Sequence, residues 1–208
     1  MLIAMQDCKP KAVIRPSPQT KIHQMRFLPN NPTKHLEDVL AISTEDGRIV
    51  FYAVNDPSHQ STADVKTEQT AQKVCHPIAQ LGGIGASIVG RTKDFELHAL
   101  PSADDDRTFL IVTASSDGAV RLWTLSTDSL LEAKATATQA SSTEEESLTG
   151  TAKQVGELRG TRETGNRITC LTSFIMDEPV EEGDGEEGEE EFGGFSDGAP
   201  EEEDGADV

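Results

Sequence analysis

Two stretches of the chain align over their whole length without a gap: DVLAISTEDGRIVFYAV (38–54) and FLIVTASSDGAVRLWTL (109–125). The offset is 71 residues, so Asp46-Gly47 falls on Asp117-Gly118, Ile49 on Val120, Phe51 on Leu122 and Tyr52 on Trp123. In each copy a β-rich run leads into Asp-Gly and a second such run leads out. Asp and Gly tolerate the positive φ values of tight hairpin turns, which makes each copy a β-hairpin. A repeated hairpin restricts the fold more than any composition does, because such units bury their faces only against neighbours.

The flanks extend each hairpin to four strands. KIHQMRFLP (21–29) and KDFELHALP (93–101) precede the hairpins, and each ends in Leu-Pro, which suits a strand leaving a sheet. PIAQLGG (77–83) and KQVGELRG (153–160) supply the fourth strands. RITCLTSFIM (167–176) reads as the opening strand of a third unit, and KAVIRP (11–16) as the closing strand of an earlier one. The expected fold is all-β: a partial WD-repeat β-propeller over 1–176, with about two complete four-stranded blades plus flanking strands. The 71-residue offset exceeds the roughly 40–45 residues of an ordinary repeat. The excess lies in polar inserts at 55–76 and 126–153, both after a third strand, where surface loops are expected. DSLLEAKATATQA (128–140) is expected to form at most a transient helix. Propellers close with roughly four to eight blades, so the sequence is expected to be the C-terminal part of a larger one, the alternative being a short protein that completes its ring by assembly.

Asp117, Trp123 and a strand hydroxyl, Thr113 or Ser115, are expected to form the hydrogen-bonded network that stiffens such a blade. A buried Trp needs a partner for its N–H. Asp46 and Tyr52 repeat the pattern, and Gly47 and Gly118 complete the turns. These roles are structural. The signature is incomplete: no Gly-His pair precedes either first strand, and Thr124 stands where Asp usually follows Trp.

Catalytic and cofactor motifs are missing. LGGIGASIVGR (81–91) has Ile88 where a dinucleotide loop needs its third Gly, and no Gly-Lys-Ser/Thr follows. His23, His35, His59, His76 and His98 lack metal-ligand spacing. Cys8, Cys75 and Cys170 form neither a CxxC pair nor a disulfide framework. ADDDR (103–107) lacks the spacing of a calcium loop. No enzyme activity, cofactor or metal is therefore expected. Without a signal-peptide pattern or an apolar run near the ~18 residues of a spanning helix, the expected setting is intracellular and soluble, with no membrane contact.

Charge separates the chain into two regions. Of its 37 acidic residues 16 follow Met176, where there is no Lys or Arg, leaving 21 acidic against 18 basic before it. The body offers no basic patch for nucleic acid. Residues 177–208, dense in Glu and Gly, are expected to be a disordered tail. Glu189, Glu190 and Glu191, with Phe192 and Phe195 as anchors, form a polyanion suited to basic partners. SSTEEES (141–147) has the pattern of an acidic-directed kinase site.

GELRGTRETGNRITCLTSF (156–174), following SSDGAVRLWTL, resembles the C-terminal end of the maintenance-of-killer family of WD-repeat proteins, which are related to the animal kinase-interacting WD-repeat protein. IAQLGG followed by KDFEL is similar to the same family's preceding blade. The resemblance covers most of 20–176 outside the inserts, and ETGNRITCL is its more specific part. It implies a non-catalytic scaffold of the nucleus and nucleolus in large ribosomal subunit assembly and rRNA processing. Its partners would be other assembly factors and basic ribosomal proteins. The alternative it implies is a signalling adaptor that binds and negatively regulates a protein kinase.

Overall fold

The structure, a computed structural model, describes residues 2–3, 10–29, 36, 38–54, 60–62, 73–88, 90–100, 108–140 and 152–176. The chain divides into a unit over Met1–Ile175 and another over Met176–Val208. The described strands all lie in the first.

In chain order they are β1 (Leu2–Ile3), β2 (Pro10–Ile14), β3 (Ile22–Phe27), β4 (Val39–Thr44), β5 (Arg48–Ala53) and β6 (Gln60–Thr62). Then come β7 (Lys73–Cys75), β8 (Pro77–Gly82), β9 (Thr92–Leu100), β10 (Thr108–Ser115), β11 (Ala119–Ser126), helix α1 (Thr127–Ala140) and β12 (Glu157–Glu163). They form three four-stranded sheets: β1-β2-β7-β6, β3-β4-β5-β8 and β9-β10-β11-β12. The protein is mostly β, its second and third sheets antiparallel throughout. Among the described residues the three sheets do not close into a ring.

The second and third sheets match in detail. Leu40 opposes Tyr52 as Ile111 opposes Trp123. A register shift follows Phe51 in β5 and the corresponding Leu122 in β11. The first strands also share a shift, between Ile22 and Gln24 in one sheet and opposite Ala114/Ser115 in the other.

Every position of β4 and β5 is buried, because successive side chains point to opposite faces and each face has its own cover. Leu40, Ile42, Val50 and Tyr52 pack with Ala12, Val54 and Cys75 toward the first sheet. Val39, Ala41, Ile49 and Phe51 pack with Phe95, Phe109, Ile111, Trp123 and Leu125 toward the third. Full burial of a side chain such as Phe or Leu stabilises by about 1.5–3 kcal/mol, so this two-sided sheet anchors the body.

Several expectations need correction. The insert at 126–153 opens with α1. Ser126 caps it by accepting a bond from the Ser129 N–H at 3.2 Å, and Asp128 lies in the first turn, where the helix dipole favours an acid. Leu130 and Ala133 are fully buried against the core, and α1 packs on β8 and β11. The insert at 55–76 contributes β6 and β7, with the rest of it outside the described residues. KAVIRP forms β2, which runs parallel to β7.

The fourth strand of the third sheet is 157–163, because the start of KQVGELRG is used elsewhere. The Gln80 N–H donates to the Lys153 carbonyl at 2.9 Å, and the Val155 N–H donates to the Gln80 carbonyl at 2.8 Å. Residues 167–176 are not assigned to a strand. A strand needs a backbone ladder, and this segment is held to β9 by side chains instead.

Candidate functional site

Each Asp-Gly turn is a small ionic knot. Gly47 has φ 83° and Gly118 φ 90°, the left-handed region that Gly enters at no steric cost. At the first turn the Thr44 hydroxyl donates to Asp46 Oδ1 at 2.5 Å, and Arg48 Nε donates to Asp46 Oδ2 at 2.9 Å. Arg48 also reaches the Ser17 carbonyl at 2.9 Å and Gln80 Oε1 at 3.2 Å, which lets a buried guanidinium fill its donors. At the second turn Arg121 donates to Ser115 Oγ and to Asp117 Oδ2, both at 3.1 Å, and the Ala119 N–H donates to Asp117 Oδ1. Burial opposes ionisation of Asp46, but bonds from Arg48 and Thr44 outweigh it and hold the carboxyl below its ordinary value. For Asp117 burial is likewise outweighed, by Arg121 and the Ala119 N–H.

Trp123 donates its indole N–H to Thr113 Oγ1 at 3.3 Å. Tyr52, its counterpart, is fully buried and its hydroxyl has no partner among the described residues. The reason lies one strand over: the position equivalent to Thr113 is Ile42, which offers no oxygen. Burial pushes the Tyr52 hydroxyl to a much higher pKa than usual.

The turns also hold neighbouring segments of the second and third sheets together. The Gly83 N–H donates to the Gly47 carbonyl at 3.1 Å, and the Thr164 N–H donates to the Gly118 carbonyl at 2.9 Å. A Cβ on Gly47 would meet the Gly90 carbonyl at 2.6 Å, and one on Gly118 the Asn166 carbonyl at 2.6 Å. Ser116 N–H to the Arg91 carbonyl and the Arg91–Glu45 ion pair complete the junction.

A second network runs along the first strands. Asp94 accepts from Gln24 Nε2 on β3 at 3.3 Å and from the Leu171 N–H at 3.0 Å. Arg26 donates to the Phe95 carbonyl and to Glu96, and His98 Nε2 lies 2.8 Å from Ser173 Oγ. His23, 3.5 Å from Lys93, has its pKa lowered by burial and by that ammonium. Sequence reasoning missed Asp94, Arg26, His98 and Ser173. Their partners lie 69 to 77 residues away, and only the packing of β3, β9 and residues 167–176 brings them together.

Chemically these networks rigidify. Asp46 and Asp117 face arginine. The Ser173–His98 contact is half of a nucleophile–base arrangement, and no described carboxylate orients the imidazole. Among the described residues no three His, Cys, Asp or Glu side chains are placed to hold a metal ion, and no helix is long and apolar enough to cross a membrane. Cys75 is buried, which raises its thiol pKa, and Cys170 is exposed. Cys8, His35, His59, Asp104, Asp105 and Asp106, and the tail residues Glu189, Glu190, Glu191, Phe192 and Phe195, lie outside the described residues. No protein-family model, no curated protein and no solved structure matches the chain.

Proposed function

We propose that the second and third sheets are successive blades of a WD-repeat β-propeller. On this reading the chain is a non-catalytic scaffold for protein–protein contacts in large ribosomal subunit assembly, acting in the nucleus and nucleolus. The observation that carries the propeller reading is Asp94, whose carboxylate bridges β3, its own strand and residues 167–176. Two consecutive first strands set side by side, with residues 167–176 held alongside them and Asp-Gly turns repeated along the stack, fit radial repetition of four-stranded sheets.

The ribosomal role rests on the likeness of ETGNRITCL and its surroundings to the maintenance-of-killer family. It also rests on 16 acidic residues after Met176, a charge that suits basic ribosomal proteins. Gradient sedimentation of the endogenous protein, blotted with an antibody to residues 177–208, tests it. The expected result is co-migration with large-subunit precursors. A protein confined to light fractions overturns the ribosomal role, and a stoichiometric kinase complex in those fractions would establish the adaptor alternative.

A further inference from the structure

The chain enters the last strand of its second sheet and of its third in the same way. Just before β8, strand β7 runs parallel to β2, with Val74 opposite Val13 and Cys75 opposite Ile14. Just before β12, residues 153–155 run parallel to β8, with Gln154 opposite Gln80. Among the described residues every other strand pairing is antiparallel. Each of these straps starts with a lysine, Lys73 or Lys153, and buries its third residue, Cys75 at 1 % exposed and Val155 at 5 %. A single residue, His76 or Gly156, then separates it from the strand that follows.

The second strap carries more of the load than the first. β8 is buried at four of its six positions, whereas β12 is exposed at all seven. Between residues 152 and 167 Val155 alone is buried, within the core cluster that includes Leu81 of β8. An edge strand that buries no side chain is held by its ladder, and such segments open first. The link from anchor to strand is tight. Gly156, at φ 78°, lies so close to β8 that a Cβ would meet Leu81 Cδ1 at 2.7 Å, and Lys153 pairs with Glu132 of α1 at 3.1 Å.

We propose that residues 153–155 are a strap whose seating on β8 decides whether β12 stays paired. Unseating it releases 153–164 as one unit from an otherwise intact third sheet. The edge of β11 that β12 covers is then bare, and a bare edge is open to pairing with another strand. The proposal rests on the strand pairings and the burial pattern, and is independent of ring closure and of the ribosomal role.

Amide hydrogen exchange of the full chain, followed residue by residue by NMR, tests the proposal. Val155→Ala removes the anchor and keeps both backbone bonds to Gln80; Val155→Pro also removes the N–H that donates to the Gln80 carbonyl. Gln154→Ala, at an exposed position of the same strap, is the control. In both Val155 variants the β12 amides are expected to exchange about tenfold faster or more. So is the Thr164 N–H, which bonds the Gly118 carbonyl beyond the far end of the strand. The amides pairing β9 with β10 are expected to change less than about twofold, and the control to leave every rate within that range. If the proline variant does not fold, Val155→Ala decides alone. Acceleration confined to Glu157 and Leu158 would reduce the strap to a local fray and overturn the proposal. Unchanged exchange along β12, or an equal rise in β9 and β10, overturns it as well.

Discussion

Tyr52 and Trp123 occupy the same place in two sheets and differ in one atom's fate. The indole N–H finds Thr113, while the phenol finds no partner among the described residues, Ile42 standing in place of that threonine. An unsatisfied buried hydroxyl costs about 1–3 kcal/mol, so Tyr52→Phe is expected to raise stability by about 1 kcal/mol in urea unfolding. A loss of stability would mean that the hydroxyl has a partner after all. The equivalence of the two aromatics was legible in the sequence. Which hydroxyl serves Trp123 was not, and Thr113 takes that place while Ser115 turns to Arg121. Nor were the arginines legible, because Arg48 lies two residues past its aspartate and Arg121 four, so the offset does not connect them.

Both aspartates ionise more readily folded than unfolded. The unfolded chain therefore takes up protons first as pH falls. The stability they confer is present above the ordinary value of 3.8 and is lost as pH drops through their lower folded values. Asp46→Asn together with Asp117→Asn is expected to flatten the acid limb of a stability–pH curve; an unchanged limb would assign it to other groups. His23 has the same sign in a higher window. Its lowered pKa favours the folded state above 6.5 and less so as pH falls below it. As for Ser173, a fluorophosphonate probe is expected to leave it unlabelled. Labelling that disappears in His98→Ala would overturn the non-catalytic reading.

At the scale of elements, the hairpins were readable because alternation and Asp-Gly both point to them. Helix α1 was not, since its hydrophobic residues are few and its Thr and Ser content lowers helix propensity. Tertiary contact decided the matter, through Leu130 and Ala133 docking on the core beside β8 and β11. Leu130→Ala is expected to cost about 2–5 kcal/mol. Ala135→Gly, on the exposed side, is expected to cost about 1 kcal/mol; a loop there would be indifferent to it. The opening strand expected at 167–176 failed for a different reason. Its residues have the composition of a strand, but strand pairing depends on a neighbour's free edge, which a local sequence does not encode.

In the whole molecule, contact between the two repeats depends on Asp94 as well as on the apolar core. Asp94→Ala removes the acceptor shared by Gln24 and the Leu171 N–H. Amide exchange at Leu171 is expected to rise at least tenfold, with the centres of β4 and β5 little changed. Equal acceleration in both places would mean that the repeats open as one unit.

The clip between residues 153–155 and the edge of β8 also sets an order of events during synthesis. The strand that finishes the third sheet begins at Glu157, just past that clip. It is steered into place by an edge that exists only once β8 has paired with β5. A chain emerging from its N-terminus delivers β3, β4, β5 and β8 well before β12. Vectorial synthesis and the wiring of the clip thus agree, and the earlier repeat serves as the template on which the later one is closed.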